Sequence, residues 1–311
     1  MKPLHILVTG GAGFIASHIA DAYVAAGNSV TILDNLSTGE RRNINPAATF
    51  IEGDIRDDDA IDKALSRPID LISHHAAQMD VRRSVAEPVF DADVNIVGTL
   101  RLFQKAIDKG VKKLIFASSG GAMYGEPQFV PQTEDHPVAP LSPYGCSKLA
   151  IEHYLHYLRS AFGIAAVSLR YANVYGPRQR KDGEAGVVAI FGGKLLAGEQ
   201  ATINGTGGQT RDYVFVEDVV RANMAASQEG MDGGFNVGTG VETSVTQLYS
   251  ALCKAAGLSE NARNGPAKPG EQMRSVLDGT KLRKLAGLPE PVLLEEGLEK
   301  TYASIRDAAR L

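Results

Sequence analysis

One stretch near the N-terminus constrains this chain more than any other. Residues 4–8 are a short apolar run of buried-strand type. Thr9-Gly10-Gly11-Ala12-Gly13-Phe14-Ile15-Ala16-Ser17-His18 follows, and residues 19–26 read as a helix. Gly10 allows a tight turn. Gly13 lets a backbone come close to a pyrophosphate at the positive end of the following helix, and Ala16 need only be small for helix–strand packing. Strand, glycine turn and helix in that order form the context that a dinucleotide fingerprint requires. The next strand, Val30-Thr31-Ile32-Leu33, ends in Asp34. A carboxylate about 20 residues beyond the turn suits two free ribose hydroxyls and repels a 2′-phosphate, so NAD is the expected cofactor. Arg41 and Arg42 read as a solvated surface pair.

The alternation of strand and helix continues. Residues 49–52 lead to Asp54-Ile55, a position suited to the adenine edge, and residues 57–65 look helical. Asp70-Leu71-Ile72-Ser73-His74-His75-Ala76-Ala77 is a strand running into a small-residue turn that lets the chain pass close to a cofactor. His74 and His75 read as packing residues, because no carboxylate or cysteine lies at ligand spacing. Residues 90–108 look like one long helix with Asn95 inside it, and residues 111–117 like another strand. Repeated βα units imply an α/β fold with a doubly wound parallel sheet of Rossmann type, whose ligands bind at the carboxyl ends of the strands. Residues 1–170 are expected to form the NAD-binding domain. Residues 171–311 are expected to form a smaller substrate lobe, interleaved with the sheet.

Composition excludes several classes. A net charge of −4 gives no basic field for nucleic acid or an anionic membrane. Two cysteines, Cys146 and Cys253, are too few and too scattered for a disulfide framework or a zinc site. No apolar run approaches the length of a membrane span. The first residues move straight into a strand, and Gly10, Gly11 and Gly13 interrupt what would be the apolar region of a signal peptide. The expected location is the cytoplasm.

The chemistry is expected at Ser142-Pro143-Tyr144-Gly145-Cys146-Ser147-Lys148, the first turn of a helix continued by Leu149, Ile151, Leu155 and Leu158. Positions four apart share a helix face, so Tyr144 and Lys148 point the same way. A phenol with a reference pKa of about 10 is a poor base at neutral pH, and a nearby cation favours the phenolate. Lowering that value to about 7 takes about 4 kcal/mol of differential stabilisation. Such pairs also arise by chance on helix surfaces.

These stretches together carry a resemblance. Residues 9–18, Asp34-Asn35-Leu36-Ser37, Gly53-Asp54-Ile55, His75-Ala76-Ala77, Asn95, residues 116–125, 142–148 and 169–178, and Arg211-Asp212-Tyr213 run in order through nearly the whole chain. In them the chain resembles the extended short-chain dehydrogenase/reductases, and among these the nucleotide-sugar epimerases of the UDP-glucose 4-epimerase type. The resemblance implies that NAD stays bound while C4 of a UDP-hexose is oxidised to a 4-keto sugar, which turns in the pocket and is reduced on its other face. Tyr144 would take the O4 proton, and Lys148 would bridge the nicotinamide ribose and lower the tyrosine pKa. Cofactor contacts are implied at Gly10, Gly13, Phe14, Ile15, Asp34, Asn35, Ser37 and Gly39. They are implied further along at Asp54, Ile55, His75, Ala76, Ala77, Asn95 and Tyr171.

Two departures from the family pattern bear on mechanism. Many members carry Ser or Thr four residues before the strand-end Tyr-Gly, where this chain has Gly120; the adjacent Ser119, or a water, is the candidate replacement. Nucleotide-sugar 4,6-dehydratases carry an Asp-Glu pair where this chain has Gly121 and Ala122, so simple epimerisation is favoured over elimination.

In the C-terminal half the resemblance assigns Asn173 to the substrate phosphate or sugar, and residues 183–188, ending in Val188, to the nucleotide pocket. Thr202 and Asn204 fall where the family holds uracil, Arg211 at the pyrophosphate, and Glu271 at the uridine ribose. Arg211 could instead form a surface ion pair with Asp212. Lys268 or Arg274 could also meet phosphate, and Asp218 reads as a cap or tie rather than a catalyst. Ser275 stands where some epimerases have a bulky tyrosine wall, leaving room for an N-acetyl group. A homodimer through the helices after Asp91 and after Tyr144 is expected, with Tyr154, Leu155, Tyr157 and Leu158 either in that interface or in the core. The alternatives are an epimerase of UDP-glucuronate, a non-catalytic NAD-binding regulator, or a net oxidoreductase that exchanges its cofactor.

Overall fold

The computed structural model describes residues 3–180, 186–267 and 272–309. Its contacts divide the chain into two compact units. The first holds residues 1–123, 140–170 and 220–235; the second holds 124–139, 171–219 and 236–311.

The first unit opens with β1 (His5–Thr9), α1 (Phe14–Ala25), β2 (Ser29–Asp34), β3 (Thr49–Glu52), α2 (Asp58–Ala64) and β4 (Leu71–His74). It continues through α3 (Val81–Ala86), α4 (Pro88–Ala92), a π-helical segment (Asp93–Gly98) and α5 (Thr99–Asp108), to β5 (Lys113–Ser119), the single turn α6 (Gly120–Met123), α7 (Pro143–Phe162) and β6 (Ala165–Tyr171). The 90–108 stretch is therefore not one uniform helix. Its middle turn is widened at Asp93–Gly98, around Asn95.

In the second unit are β7 (Asn173–Tyr175), α8 (Val187–Ala197), β8 (Ala201–Asn204), β9 (Thr210–Arg211) and β10 (Tyr213–Phe215). The chain then runs through α9 (Val216–Ala226) and β11 (Gly233–Val237), which carry it into and out of the first unit. The second unit ends with β12 (Thr243–Ser244), α10 (Val245–Ala256), β13 (Ala262–Gly265), α11 (Thr280–Ala286) and α12 (Leu294–Ala308).

Seven strands form one sheet in the order β11-β6-β5-β4-β1-β2-β3. β1 pairs in parallel with both β2 and β4, β2 with β3, and β4 with β5. Chain order reverses at β1 and β4, and parallel neighbours require crossover helices, as expected of a doubly wound fold. Side chains along a strand alternate between the faces. Leu7, Leu33, Ile72, Leu114 and Phe116 accordingly join a core with Ile61 of α2, Leu102 and Phe103 of α5, and Ile151, Leu155 and Leu158 of α7. Leu155 and Leu158 thus belong to the core, whereas Tyr154 and Tyr157 on the same helix are 43% and 55% exposed.

Helix ends follow their sequence signals. Ser142 caps α7 by accepting from Gly145 N at 3.1 Å, Pro143 occupies the first turn, and Gly163 closes the helix with φ 65°. Asp57 caps α2 and Asp80 caps α3 in the same way. Arg41 and Arg42 are exposed and paired with Glu52 and Glu40. Among the described residues no helix is long and apolar enough to cross a membrane, and no three His, Cys, Asp or Glu side chains are grouped to hold a metal ion.

Candidate active site

The glycine turn after β1 is packed against the turn after β4. Gly10 has φ 70°, and a Cβ there would lie 2.8 Å from Ala76 N and 3.0 Å from the His75 carbonyl carbon. Only glycine satisfies both the angle and the approach. Thr9 secures the same junction. Its hydroxyl oxygen accepts from the backbone N–H groups of His75 and Ala76, each at 3.1 Å. With both lone pairs engaged, Thr9 donates its proton to His74 Nδ1 at 2.7 Å, which leaves His74 Nε2–H to donate to Thr99 Oγ1 at 2.9 Å. His74 is 1% exposed, and burial holds its pKa well below the usual value, so it is a neutral packing residue. Burial also pushes His75 down to about 3.

The N-terminus of α1 carries no side-chain cap and no acidic residue in its first turn. Its leading N–H groups, at Phe14, Ile15 and Ala16, lie ahead of the first intrahelical bond, at the positive end of the helix dipole. Asp34, 7% exposed at the end of β2, accepts from Ala12 N at 3.0 Å and Leu36 N at 2.8 Å. Burial raises its pKa and these two bonds oppose the rise. A carboxylate offers about four acceptor positions, so capacity for hydroxyl donors remains. A Cβ on Gly39 would sit 3.0 Å from Asp34 Oδ1, so the chain is bare where a ribose would lie. These features fit a dinucleotide. An uncapped helix start would meet the pyrophosphate, a glycine cradle would admit it, and an acceptor-rich carboxylate would receive the ribose.

The next groups are more committed. Asn35 Nδ2 donates to Asp54 Oδ2 at 2.8 Å, and its carbonyl oxygen accepts from Ser37 N at 3.0 Å. The Arg56 guanidinium holds Asp54 down at about 2. A cavity of about 360 Å³ lined by Asp54, Arg56, Asp57, Asp93, Val97 and Arg101 adjoins this pair. Ile55 is buried in the core. Asn95 is 3% exposed; its amide donates to Gln78 O at 2.8 Å and Asp91 Oδ1 at 3.0 Å, and accepts from Gln78 N at 2.9 Å. Both of its amide hydrogens are used within the protein, which makes it a clamp on the chain just after Ala77. Tyr171 lies buried at the end of β6.

At the end of β5, Ser119 lies beside the half-buried Tyr144 phenol, close enough to favour its ionised form. Gly145 makes the approach of α7 to the 120–123 turn possible, since a Cβ there would lie 2.4 Å from Ala122 O. Lys148 is 4% exposed and donates to Ala117 O at 2.9 Å. Its Nζ stands 4.7 Å from the Phe116 ring centroid and 5.6 Å from that of Tyr144. The two side chains share a face, as the spacing requires. The charge balance differs from the expectation that the lysine lowers the phenol. Burial, and then the Asp91 carboxylate, push Tyr144 up to about 12, with only Ser119 opposing them. Burial pushes Lys148 down to about 8, against the pull of Asp91. The sequence reading missed Asp91, Gln78 and Ser147. The spacing of Asp91 four residues before Asn95, on one helix face, was the available signal.

In the second unit, Asp212 gathers three of the candidate substrate residues. Its carbonyl accepts from Asn173 N and its N–H donates to Ser275 O, each at 2.9 Å, and Arg211 precedes it on β9. Asp212 is fully buried and accepts from Thr239 N and Oγ1, Gly240 N and Leu277 N. It is therefore not the surface partner of Arg211, whose Nη1 donates to Thr210 O at 2.7 Å. Thr202 and Asn204 share one face of β8 on either side of buried Ile203, and Val188 is buried in the first turn of α8. Arg274 is engaged by Glu242, and Asp218 ties α9 to Val292 N at 2.9 Å. Glu271 and Lys268 lie outside the described residues, as do residues 183–185.

The profile of the NAD dependent epimerase/dehydratase family matches residues 6–238. A putative UDP-glucose 4-epimerase of Methanocaldococcus jannaschii is 45% identical over 295 residues, covering 95% of this chain and 96% of that one. The crystal structure of a UDP-glucose 4-epimerase of Thermotoga maritima with UDP-glucose superposes with a TM-score of 0.95 at 45% identity, covering 98% of this chain and all of the other. A UDP-glucose 4-epimerase of Thermus thermophilus in complex with NAD gives a TM-score of 0.93 at 43% identity, with the same coverage.

Gly10→Ala tests the cradle. It forces a left-handed conformation on an L-residue, at about 1–2 kcal/mol, and drives a methyl group into Ala76 N. The variant should unfold at lower urea concentration and release little NAD on denaturation. NAD content equal to that of the unsubstituted protein would show that the Gly10 turn does not hold the cofactor.

Proposed function

The chain belongs to the NAD dependent epimerase/dehydratase family, and on that premise we propose that it inverts C4 of a UDP-hexose, interconverting UDP-glucose and UDP-galactose. The observation that carries this reading is the Tyr144 phenol beside the carboxyl end of β5, with the buried Lys148 ammonium 5.6 Å from its ring centroid on the same helix face. Carboxyl strand ends are where ligands of a doubly wound sheet bind.

The Gly10 turn, the start of α1 and Asp34 would hold NAD, which would supply a hydride acceptor that returns what it takes, so that no net oxidation results. The protein's own part is proton management and orientation. Tyr144 takes the proton from O4 of the sugar and later gives it back to the same oxygen after the ring has turned. Ser119 donates to that phenol or to O4, standing in for the hydroxyl that Gly120 lacks. Lys148 supplies a positive charge beside the phenol. In the protein alone Tyr144 lies near 12. The phenolate therefore needs a further cation than Lys148, and an oxidised nicotinamide is one. Tyr144 is then a competent base only in the loaded site. Gly121 and Ala122 bring neither an acid nor a base near C5 and C6, which favours epimerisation over dehydration.

For the substrate, Asn173, Arg211 and Ser275 around Asp212 form the candidate phosphate and sugar contacts, with Thr202 and Asn204 for the base. The small side chain at Ser275, where some epimerases carry a bulky tyrosine, supports acceptance of the N-acetylated substrates. We place the enzyme as a homodimer in the cytoplasm. Val89 and Val97 are 83% and 47% exposed, and Tyr154 and Tyr157 of α7 are similarly exposed. Apolar groups of this kind are characteristic of interaction surfaces.

Tyr144→Phe should lower kcat by at least about 10²-fold, the scale of a general acid–base contribution, and leave NAD bound; full turnover removes Tyr144 from the mechanism. UDP-glucose and UDP-N-acetylglucosamine, incubated separately without added cofactor, should each yield the C4 epimer on chromatography. Product from UDP-glucose alone would refute the reading of Ser275. Sedimentation should give twice the chain mass, and Tyr157→Glu should shift it toward the monomer; a monomeric unsubstituted protein rules out the interface.

A further inference from the structure

Asp91 lies on α4 with no exposed surface. Its Oδ2 accepts from Ser147 Oγ at 2.7 Å, and its Oδ1 accepts from Gln78 Nε2 and Asn95 Nδ2, each at 3.0 Å. Among the described residues every donor to it is neutral, so this buried carboxylate has no ion-pair partner in contact. Removing a carboxylate from water without a paired cation is costly, and three neutral donors offset only part of that cost. One residue beyond Ser147 stands Lys148, a buried ammonium whose only hydrogen-bond acceptor among the described residues is the Ala117 carbonyl. Each charge therefore lacks a touching counter-charge, and the serine that holds Asp91 is the residue next to Lys148 in the first turns of α7.

His74 and His75 at the end of β4 feel the Lys148 charge, and burial keeps both neutral; the charged groups on the surrounding elements are directed elsewhere. Arg83 of α3 lies over Phe90 and pairs with Glu87, Arg82 is exposed, and Asp80 caps α3. Asp93 of the π-helical segment pairs with Arg56. On α7, Glu152 is held by Arg170, His153 and His156 are exposed, and Tyr144 faces the same site as Lys148.

We propose that Asp91 is a positioning residue for the Tyr144–Lys148 pair, a counter-charge held by the adjacent Ser147 so that Lys148 stays an ammonium while its donors remain free to face the site. The proposal deepens the epimerase reading and rests on it for its catalytic meaning. A carboxylate in direct contact would take one or more of the three ammonium donors. At a distance it supplies the field alone. The same field opposes ionisation of Tyr144, in agreement with the direction in which Asp91 shifts both groups. Asp91 thereby keeps a proton on the phenol in the absence of the cofactor, so that the base forms only in the loaded site.

The isostere Asp91→Asn isolates the charge. Its carbonyl oxygen can still accept from Gln78 and Asn95, and its amide can donate to Ser147 Oγ, so every hydrogen bond has a counterpart. The full-length protein, labelled with ¹³C at lysine Cε, is titrated by NMR, with the Lys148 resonance assigned by its loss in Lys148→Arg. Lys148 should lose its proton near pH 8 in the unsubstituted protein. In Asp91→Asn the transition should fall by about one unit, a tenfold loss of proton affinity. The pH profile of kcat should move toward acid on both limbs. A lysine transition and kcat limbs that stay in place, with kcat merely scaled down, would assign Asp91 to structure and overturn the proposal. Should Asp91→Asn fail to fold, Asp91→Ser carries the test. It removes the same charge and should move the same transition in the same direction by a similar amount; an unmoved transition again overturns the proposal. The titration needs no substrate. Absence of turnover in the unsubstituted protein would defeat the epimerase reading and leave the electrostatic role of Asp91 decided on its own.

Discussion

A lysine ammonium almost wholly removed from water is the constraint to which the rest of the candidate site answers. Lys148 keeps 4% of its surface exposed and has one carbonyl to donate to. Burial of an isolated charge is normally relieved by losing the proton. Here relief comes from three directions: the Ala117 carbonyl at the end of β5, the face of the Phe116 ring, and the field of Asp91. Each depends on a different element, and each element is fixed by its own local chemistry. The Ser142 cap and Pro143 start α7 at the right residue. Gly145 lets that start press against the 120–123 turn. Asn95 clamps the chain after β4 so that Gln78 reaches Asp91.

The same economy of contacts explains the cofactor half. Thr9 uses all three capacities of one hydroxyl, accepting twice and donating once. In doing so it fixes the turn after β4, the tautomer of His74 and, through Thr99, the start of α5. The glycine turn needs that rigidity. A side chain at Gly10 would begin only 2.8 Å from Ala76 N, so the turn has no tolerance for a shifted neighbour.

Much of this was legible in the sequence, because the signals were local. The apolar run, the glycine spacing and Asp34 define a strand, turn and helix within one βα unit. The i, i+4 spacing of Tyr144 and Lys148 places them on one face by helix geometry alone. What was not legible depends on contacts between distant segments. Beyond its spacing to Asn95, nothing in the sequence marks Asp91 off from Glu87 and Asp93 nearby, and only the meeting of α4 with α7 shows it buried under Ser147. An ion pair with Asp212 stood as the alternative role for Arg211, yet Asp212 is buried and given to the backbone of residues 239, 240 and 277. The direction of the Tyr144 shift was likewise invisible, since desolvation depends on what surrounds a residue and not on its spacing.

The wide turn at Asp93–Gly98 carries a consequence for how this helical stretch can change. A regular α-helix advances about 100° per residue, so the extra residue accommodated in a π-helical turn acts as a phase offset between the segments on either side. Before it, the inward face is polar and carries Asp91; after it, the inward face is apolar and carries Leu102, Phe103 and Ala106. One helix thereby serves two environments that an unbroken heptad-like pattern could not align together. Deleting a single residue there would regularise the helix and improve its hydrogen bonding, and it would rotate one of those faces out of register with its partner. Chain length across these six residues is therefore as strict a requirement as the identity of any side chain they carry.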